Sequence, residues 1–279
     1  MERNLTQKEI KDFYIWLKSE EKSKNTIEKY IRDVSTFNEY LNGNILTKEY
    51  VVAYKNKLIN ENYAVQSINS MLASLNSLFD FLGWIDLKVK SIKLQRQIFW
   101  PKEKELTKSE YISLVNTAKR KGNARLSLLI QTICGTGIRV SELKFITVEA
   151  VRCGEAVVSL KGKTRTVFIV KELKKLLRYA AEQGIKSGVI FITRTGRLMS
   201  RTNIWREMKT LCNEAGVNPD KVFPHNLRHL FARTFYGIEK DIAKLADILG
   251  HSNINTTRIY IITTGDEHRR RMENMRLII

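Results

Sequence analysis

Apolar side chains recur every three or four residues through about the first 90 positions, which is helical spacing. Ile10, Phe13, Tyr14, Trp16 and Leu17 share the inner face of a first helix. It opens on a capping box, Thr6-Gln7-Lys8-Glu9, in which Thr6 accepts from the Glu9 amide while Glu9 reaches back. A second helix carries Ile27, Tyr30, Ile31, Val34, Phe37, Tyr40 and Leu41 and stops near Gly43. A third starts after Thr47 with Val51, Val52, Tyr54 and Leu58. A fourth runs over about 64–82, with Ile68, Met71, Leu72, Leu75, Leu78 and Phe79 inward, and ends at Gly83. Four helices of this length make a small bundle.

The pattern breaks over 84–104, where Ser91-Ile92-Lys93-Leu94-Gln95-Arg96-Gln97 is polar and basic and Pro101 follows. A second capping box, Thr107-Lys108-Ser109-Glu110, restarts helix. Helices are predicted at about 107–121 and 123–134, then a short amphipathic one beginning at Arg139. Residues 156–160 and 166–170 read as paired strands joined by the basic, glycine-containing connection 161–165. A helix over 171–183, a short strand at 189–192 and helices at about 202–215, 225–237, 239–249 and 255–262 complete the chain. The predicted architecture is mainly α. A four-helix bundle spans 1–91, a linker 92–104, and a mostly helical α+β domain with a small antiparallel sheet 105–279.

Charge changes this picture. Residues 1–100 carry 15 basic and 12 acidic side chains, whereas residues 101–279 carry 33 and 17, so the second part holds nearly all of the +19 excess. Such a surface attracts nucleic acid through counterion release, and anionic membranes and ribosomes are the alternatives on charge alone. No run of about 18 apolar residues exists to span a membrane, and the N-terminus has no apolar signal region. The three cysteines, Cys134, Cys153 and Cys212, are scattered and make neither a disulfide framework nor a CxxC pair. A reducing, cytoplasmic setting fits them.

All four histidines fall in the last 60 residues, three of them among the segments Pro224-His225-Asn226-Leu227-Arg228-His229, Leu249-Gly250-His251 and Tyr260. Upstream stands Gly135-Thr136-Gly137-Ile138-Arg139-Val140-Ser141-Glu142-Leu143. Attack on a phosphodiester builds negative charge on oxygens that are already anionic, and guanidiniums neutralise it with a planar, permanently protonated fork. Arg139 and Arg228 are the candidates. An arginine at a helix start opposes the helix dipole, so Arg139 calls for an anion nearby. His225 and Arg228, at i and i+3, share a helix face after Pro224, and histidine moves protons near neutral pH. His229 makes an HxxxH pair with His225 that would suit zinc, yet Arg228 puts a cation inside that shell and no HExxH glutamate is present. His229 reads instead as a structural, hydrogen-bonded histidine. Gly250 is placed to cap a helix and hold His251 at its end. Tyr260 is one tyrosine among ten, and only its company makes it a nucleophile candidate. Lys161, in the turn between the strands, is suited to protonate a leaving alkoxide.

Together these segments resemble the tyrosine recombinases, the phage-integrase and Xer-like family. The resemblance rests on Thr136 to Leu143, on Leu160-Lys161-Gly162-Lys163-Thr164-Arg165, on His225 to His229, and on Leu249-Gly250-His251-Ser252 through Thr256-Thr257 to Tyr260. It implies that Tyr260 attacks the scissile phosphate to form a 3′-phosphotyrosyl link. Arg139, Arg228 and His251 would stabilise the pentacoordinate phosphate, Lys161 would act as general acid, His225 would assist proton transfer, and Glu142 would buttress Arg139. No metal, ATP or other cofactor is implied. The resemblance also implies a SAM-like core-binding bundle over 1–91, closing with the catalytic domain round a duplex. A C-terminal segment, about 264–279, would dock on a neighbouring protomer. The expected partners are double-stranded recombination sites held by a homotetramer through a Holliday junction, at the nucleoid. Accessory factors or a second recombinase, and the choice between element integration or excision, inversion and chromosome-dimer resolution, stay open. The competing readings are a type IB topoisomerase, a DNA-binding regulator with a decayed site, and a metal-dependent nuclease.

Overall fold

The computed structural model describes residues 3–93, 102–160, 162–261 and 272–275. The chain divides into two compact units, 1–96 and 97–279. Most of the predicted linker (94–101), Lys161 and most of the predicted docking segment therefore lie outside the described residues. Among the described residues no helix is long and apolar enough to cross a membrane.

In the first unit four helices form where the apolar spacing predicts them: α1 (Gln7–Ser19), α2 (Lys24–Leu41), α3 (Lys48–Asn60) and α4 (Val65–Phe81). Side chains that satisfy orphan amides mark the starts of α1, α2 and α3. Ser23 accepts from the Thr26 amide, Thr47 from the Tyr50 amide, and the Thr6–Glu9 box is formed at α1. Phe13, Leu17, Val34, Phe37, Val51, Leu72, Leu75, Leu78 and Phe79 are wholly buried between the helices. Phe37 meets the Tyr54 ring edge-on at 5.0 Å between centroids. Asp33, an acidic side chain buried in this core, is paired with Lys29 and accepts from Ser74 Oγ at 2.7 Å, which offsets its lost hydration.

The second unit is built around α6 (Ala124–Thr136), whose Leu129, Ile130 and Ile133 are wholly buried. It packs between α5 (Lys108–Arg120) and α11 (Pro224–Glu239). A 3-10 turn, Val140–Phe145, follows α6, then α7 (Val148–Cys153) and the antiparallel pair β1 (Glu155–Leu160) and β2 (Lys163–Phe168). Next come α8 (Lys175–Glu182), α9 (Arg201–Lys209) and α10 (Cys212–Ala215). After α11, α12 (Ile242–Leu249) and α13 (Ile254–Ile261) pack against it, with Ala232, Leu245, Leu249 and Tyr260 buried between them.

Four expectations are corrected. The hairpin connection is two residues, not five: Leu160 pairs with Lys163, and Gly162 at φ +72° supplies the left-handed turn such a short loop demands. Lys163, Thr164 and Arg165 therefore belong to β2. The strand expected at 189–192 reduces to isolated bridges, Thr147 with Val189 and Ile192 with Leu198, because the partner segment turns at once into α7. The helix expected at 202–215 breaks after Lys209. The Leu211 amide bonds back only to the Met208 carbonyl, a tighter turn that sends both Leu211 and Cys212 into the core. The amphipathic helix expected at Arg139 is the 3-10 turn, with Arg139 as its N-cap.

Candidate active site

Arg139 sits where α6 has just ended at Gly137, in the left-handed conformation at φ +63°. The anion that its position calls for is internal. Glu142 accepts from the Arg139 amide at 2.9 Å through Oε2 and from the Arg139 guanidinium at 2.8 Å through Oε1. Burial by itself would raise the Glu142 carboxyl. The Arg139 amide and guanidinium and the charge of Arg165 outweigh it and hold the group below the usual carboxylate range. Arg139 keeps much of its side chain in solvent and also donates to the Gly250 carbonyl at 3.3 Å.

Arg228, one turn into α11, is 2% exposed. Its guanidinium donates to the carbonyls of Gly137 and, at 2.7 Å, of Leu249, and one nitrogen lies 2.9 Å from His251 Nε2. The nearby Tyr260 side chain favours its charged form. Burial first, then repulsion from Arg139, brings its pKa down to about 10, so it stays a cation at neutral pH. Its Nε is buried without a partner.

Tyr260, 5% exposed, is ringed by three imidazoles from its own chain. The ring of His225 is 5.4 Å away, that of His229 5.1 Å and that of His251 5.5 Å between centroids. His251 follows Gly250, whose φ of +66° caps α12, and its Nδ1 meets Thr257 Oγ1 at 2.9 Å. Burial and then Arg228 and Arg139 push the His251 pKa down to about 4. His225 stands exposed at the rim. Desolvation of its packed face, then Arg228, Arg201 and Arg139, lower its pKa too. His229 is buried and bonded to the Ile259 backbone, and burial takes it to about 4. Among the described residues no group of three or more His, Cys, Asp or Glu is placed to hold a metal ion.

Arg139, Glu142, His225, Arg228, His251 and Tyr260 are thus brought together; Lys161 lies outside the described residues. Two further residues belong to this assembly. Arg165 on β2 donates to Glu142 at 2.6 Å and to the Ile248 carbonyl at 2.7 Å. It thereby ties the hairpin to the Arg139 turn and to the end of α12. A side chain on Gly250 would strike Arg165, so this glycine is demanded twice, by its φ and by that close approach. Thr257 is wholly buried against His251. The available signal for Arg165 was its alternation with Val167 and Ile169, which puts the three on one strand face once the turn is known to be short. For Thr257 it was the i, i+3 spacing to Tyr260.

Three guanidiniums face one carboxylate, so the site carries excess positive charge beside a phenol and neutral imidazoles. Its unmatched donors suit a tetrahedral or trigonal-bipyramidal oxyanion group.

Comparison with known proteins finds the same pattern in both units. A profile described as the phage integrase family matches residues 104–265, and one described as the phage integrase N-terminal SAM-like domain matches residues 10–85. The tyrosine recombinase XerA of Pyrococcus horikoshii is 31% identical, over 96% of this chain and 94% of its own length. Among solved structures, a lambda integrase dimer bound to a COC' core site is similar with a TM-score of 0.75 at 18% identity, covering 93% of this chain and 78% of that one. The XerH site-specific recombinase bound to difH substrate is similar with a TM-score of 0.68 at 21% identity, covering 88% and 78%. At such identities the two structures speak for the fold, a helical bundle followed by a mostly helical domain with a small sheet.

Proposed function

The chain belongs to the phage integrase family, and from that premise we propose that it is a tyrosine-type site-specific recombinase of double-stranded DNA. The observation that carries the reading is the seat of Tyr260. Its ring is buried among those of His225, His229 and His251, and the buried Arg228 guanidinium lies 2.9 Å from His251 Nε2.

Tyr260 Oη bonds to the scissile phosphorus as the bond from phosphorus to the 5′-oxygen breaks, leaving a 3′-phosphotyrosyl link and a free 5′ end. His225, whose neutral form is favoured first by desolvation and then by its cationic neighbours, accepts the phenol proton. Arg139, Arg228 and His251 hold the non-bridging oxygens while charge builds there. Lys161 gives its proton to the departing 5′-oxygen, as the family resemblance implies. Glu142 keeps Arg139 and Arg165 in place and takes no part in the bond changes. Attack of a 5′-hydroxyl from a second duplex reverses these steps and joins new partners. The phosphotyrosyl bond conserves the energy of the broken one.

Residues 1–91 serve as the core-binding domain and 105–279 as the catalytic domain. Four copies exchange strands in pairs through a Holliday junction, for integration and excision of an element or for Xer-type resolution.

The test incubates the protein with nicked duplexes drawn from the DNA flanking its own gene, then denatures it. A protein–DNA band that survives denaturation is the expected product. Tyr260→Phe should bind the same DNA and yield none. A Tyr260→Phe protein that links to DNA as the parent does refutes the assignment, and relaxation of supercoils by single copies without site preference would move the reading to a type IB topoisomerase.

A further inference from the structure

We infer that Thr257 is a positioning residue whose buried hydroxyl lets His251 hand its ring proton from Nδ1 to Nε2 when a phosphate arrives. The inference rests on the recombinase reading above, in which His251 meets a phosphate oxygen.

His251 is held at both nitrogens: Nε2 lies 2.9 Å from Arg228 Nη2, and Nδ1 lies 2.9 Å from Thr257 Oγ1. A guanidinium nitrogen can only donate, so Nε2 accepts. The proton of the neutral ring is then on Nδ1 and is donated to the Thr257 oxygen. To support a phosphate oxygen, Nε2 must itself become a donor, and Nδ1 is left needing one. Among uncharged side chains of this size only a hydroxyl fills both parts, because it accepts in one rotor state and donates in another. One proton leaves Nδ1 and one arrives at Nε2 by exchange with water, so the charge of the ring is unchanged.

Thr257 is wholly buried, so water cannot substitute for it. It also lies on α13 three residues before Tyr260. The bond that orients the imidazole therefore anchors the helix carrying the nucleophile, and ring and phenol are brought into register by one contact.

The test uses the full chain labelled with 15N-histidine, in a Tyr260→Phe background so that the DNA complex does not turn over. Only four histidines are present, and a His251→Gln spectrum identifies the signal. The expected ring carries its proton on Nδ1 without DNA and on Nε2 in the complex, and Thr257→Ser preserves that inversion. Thr257→Val loses the hydrogen-bonded Nδ1 proton and the inversion. With Tyr260 restored, Thr257→Val forms the covalent link on the order of 10- to 100-fold more slowly, as expected for a buried polar group left unpaired, while Thr257→Ser stays within about threefold of the parent. A ring that keeps Nδ1–H on DNA overturns the inference, as does a Thr257→Val protein that cleaves like its parent or a Thr257→Ser protein that fails equally. A parent that never links to DNA removes the recombinase reading and this inference with it. A parent that links but shows no inversion removes this inference alone.

Discussion

Replacing Glu142 by glutamine keeps the shape of a 2%-exposed side chain and removes its charge. Two cations lose their counter-ion. The Arg165 guanidinium, 12% exposed, is bonded to Glu142 at 2.6 Å, and that of Arg139, 39% exposed, at 2.8 Å. Breaking a buried ion pair typically costs about 3–5 kcal/mol. Arg139 remains well hydrated and recovers part of its loss, which places Glu142→Gln near the low end, at about 3 kcal/mol. For a unit of about 180 residues, that corresponds to a fall in Tm of roughly 6–12 °C. A DNA phosphate supplies the missing negative charge, so saturating site DNA should raise the Tm of the variant more than that of the parent. Thermal unfolding with and without DNA, followed by circular dichroism, measures both. A variant within about 0.5 kcal/mol of the parent, or one that gains less from DNA, refutes the account of Glu142 as the counter-ion of the site.

Arg165→Lys keeps one charge and loses the two-pronged reach to Glu142 and Ile248; covalent-link formation should slow about tenfold, with DNA binding nearly unchanged, when assayed on nicked duplexes. Gly250→Ala places a methyl group on Arg165 at φ +66° and should cost at least about 1 kcal/mol of stability as well as activity; denaturant unfolding reads the first, and a stability equal to the parent's would contradict the close approach. Acid should weaken the second unit. His229 and His251 have folded pKa values of about 4 against 6.5 unfolded, so the unfolded chain binds their protons first. Stability is complete above pH 6.5 and is lost as pH falls towards 4, by about 2 kcal/mol per histidine at pH 5, and a flat urea-stability profile between pH 7 and 5 would sink the argument.

Periodicity made the first unit legible almost residue by residue, because each of its helices buries one continuous stripe: Phe13 and Leu17, Val34 and Phe37, Leu72 and Phe79 all lie where spacing puts them. The site was legible by another route. Arg139, His225, Arg228, His251 and Tyr260 stood out as residue types that one phosphodiester chemistry needs, although 121 positions separate the first from the last. The residues that hold them were harder to read. Arg165 looked like a loop cation because the length of a hairpin turn depends on a single glycine dihedral, and a shift in strand register moves a side chain from solvent to core. Thr257 stood in the sequence only as part of the segment leading to Tyr260, since a threonine three residues before a tyrosine gains meaning only when α12 delivers His251 to it. The break after Lys209 and the loss of the strand at 189–192 come from tertiary packing, which no local pattern encodes.

Tyr260, the proposed nucleophile, and Arg228 stand in one polypeptide, on helices α13 and α11 that pack together with α12. Inheritance follows from that geometry. Under the proposed chemistry a copy missing its hydroxyl borrows none from the copies beside it, so mixing two differently crippled proteins should restore nothing. In a tetramer of the kind proposed above such a copy would still occupy its quarter of the DNA, and a cell making both forms would show the defect as dominant.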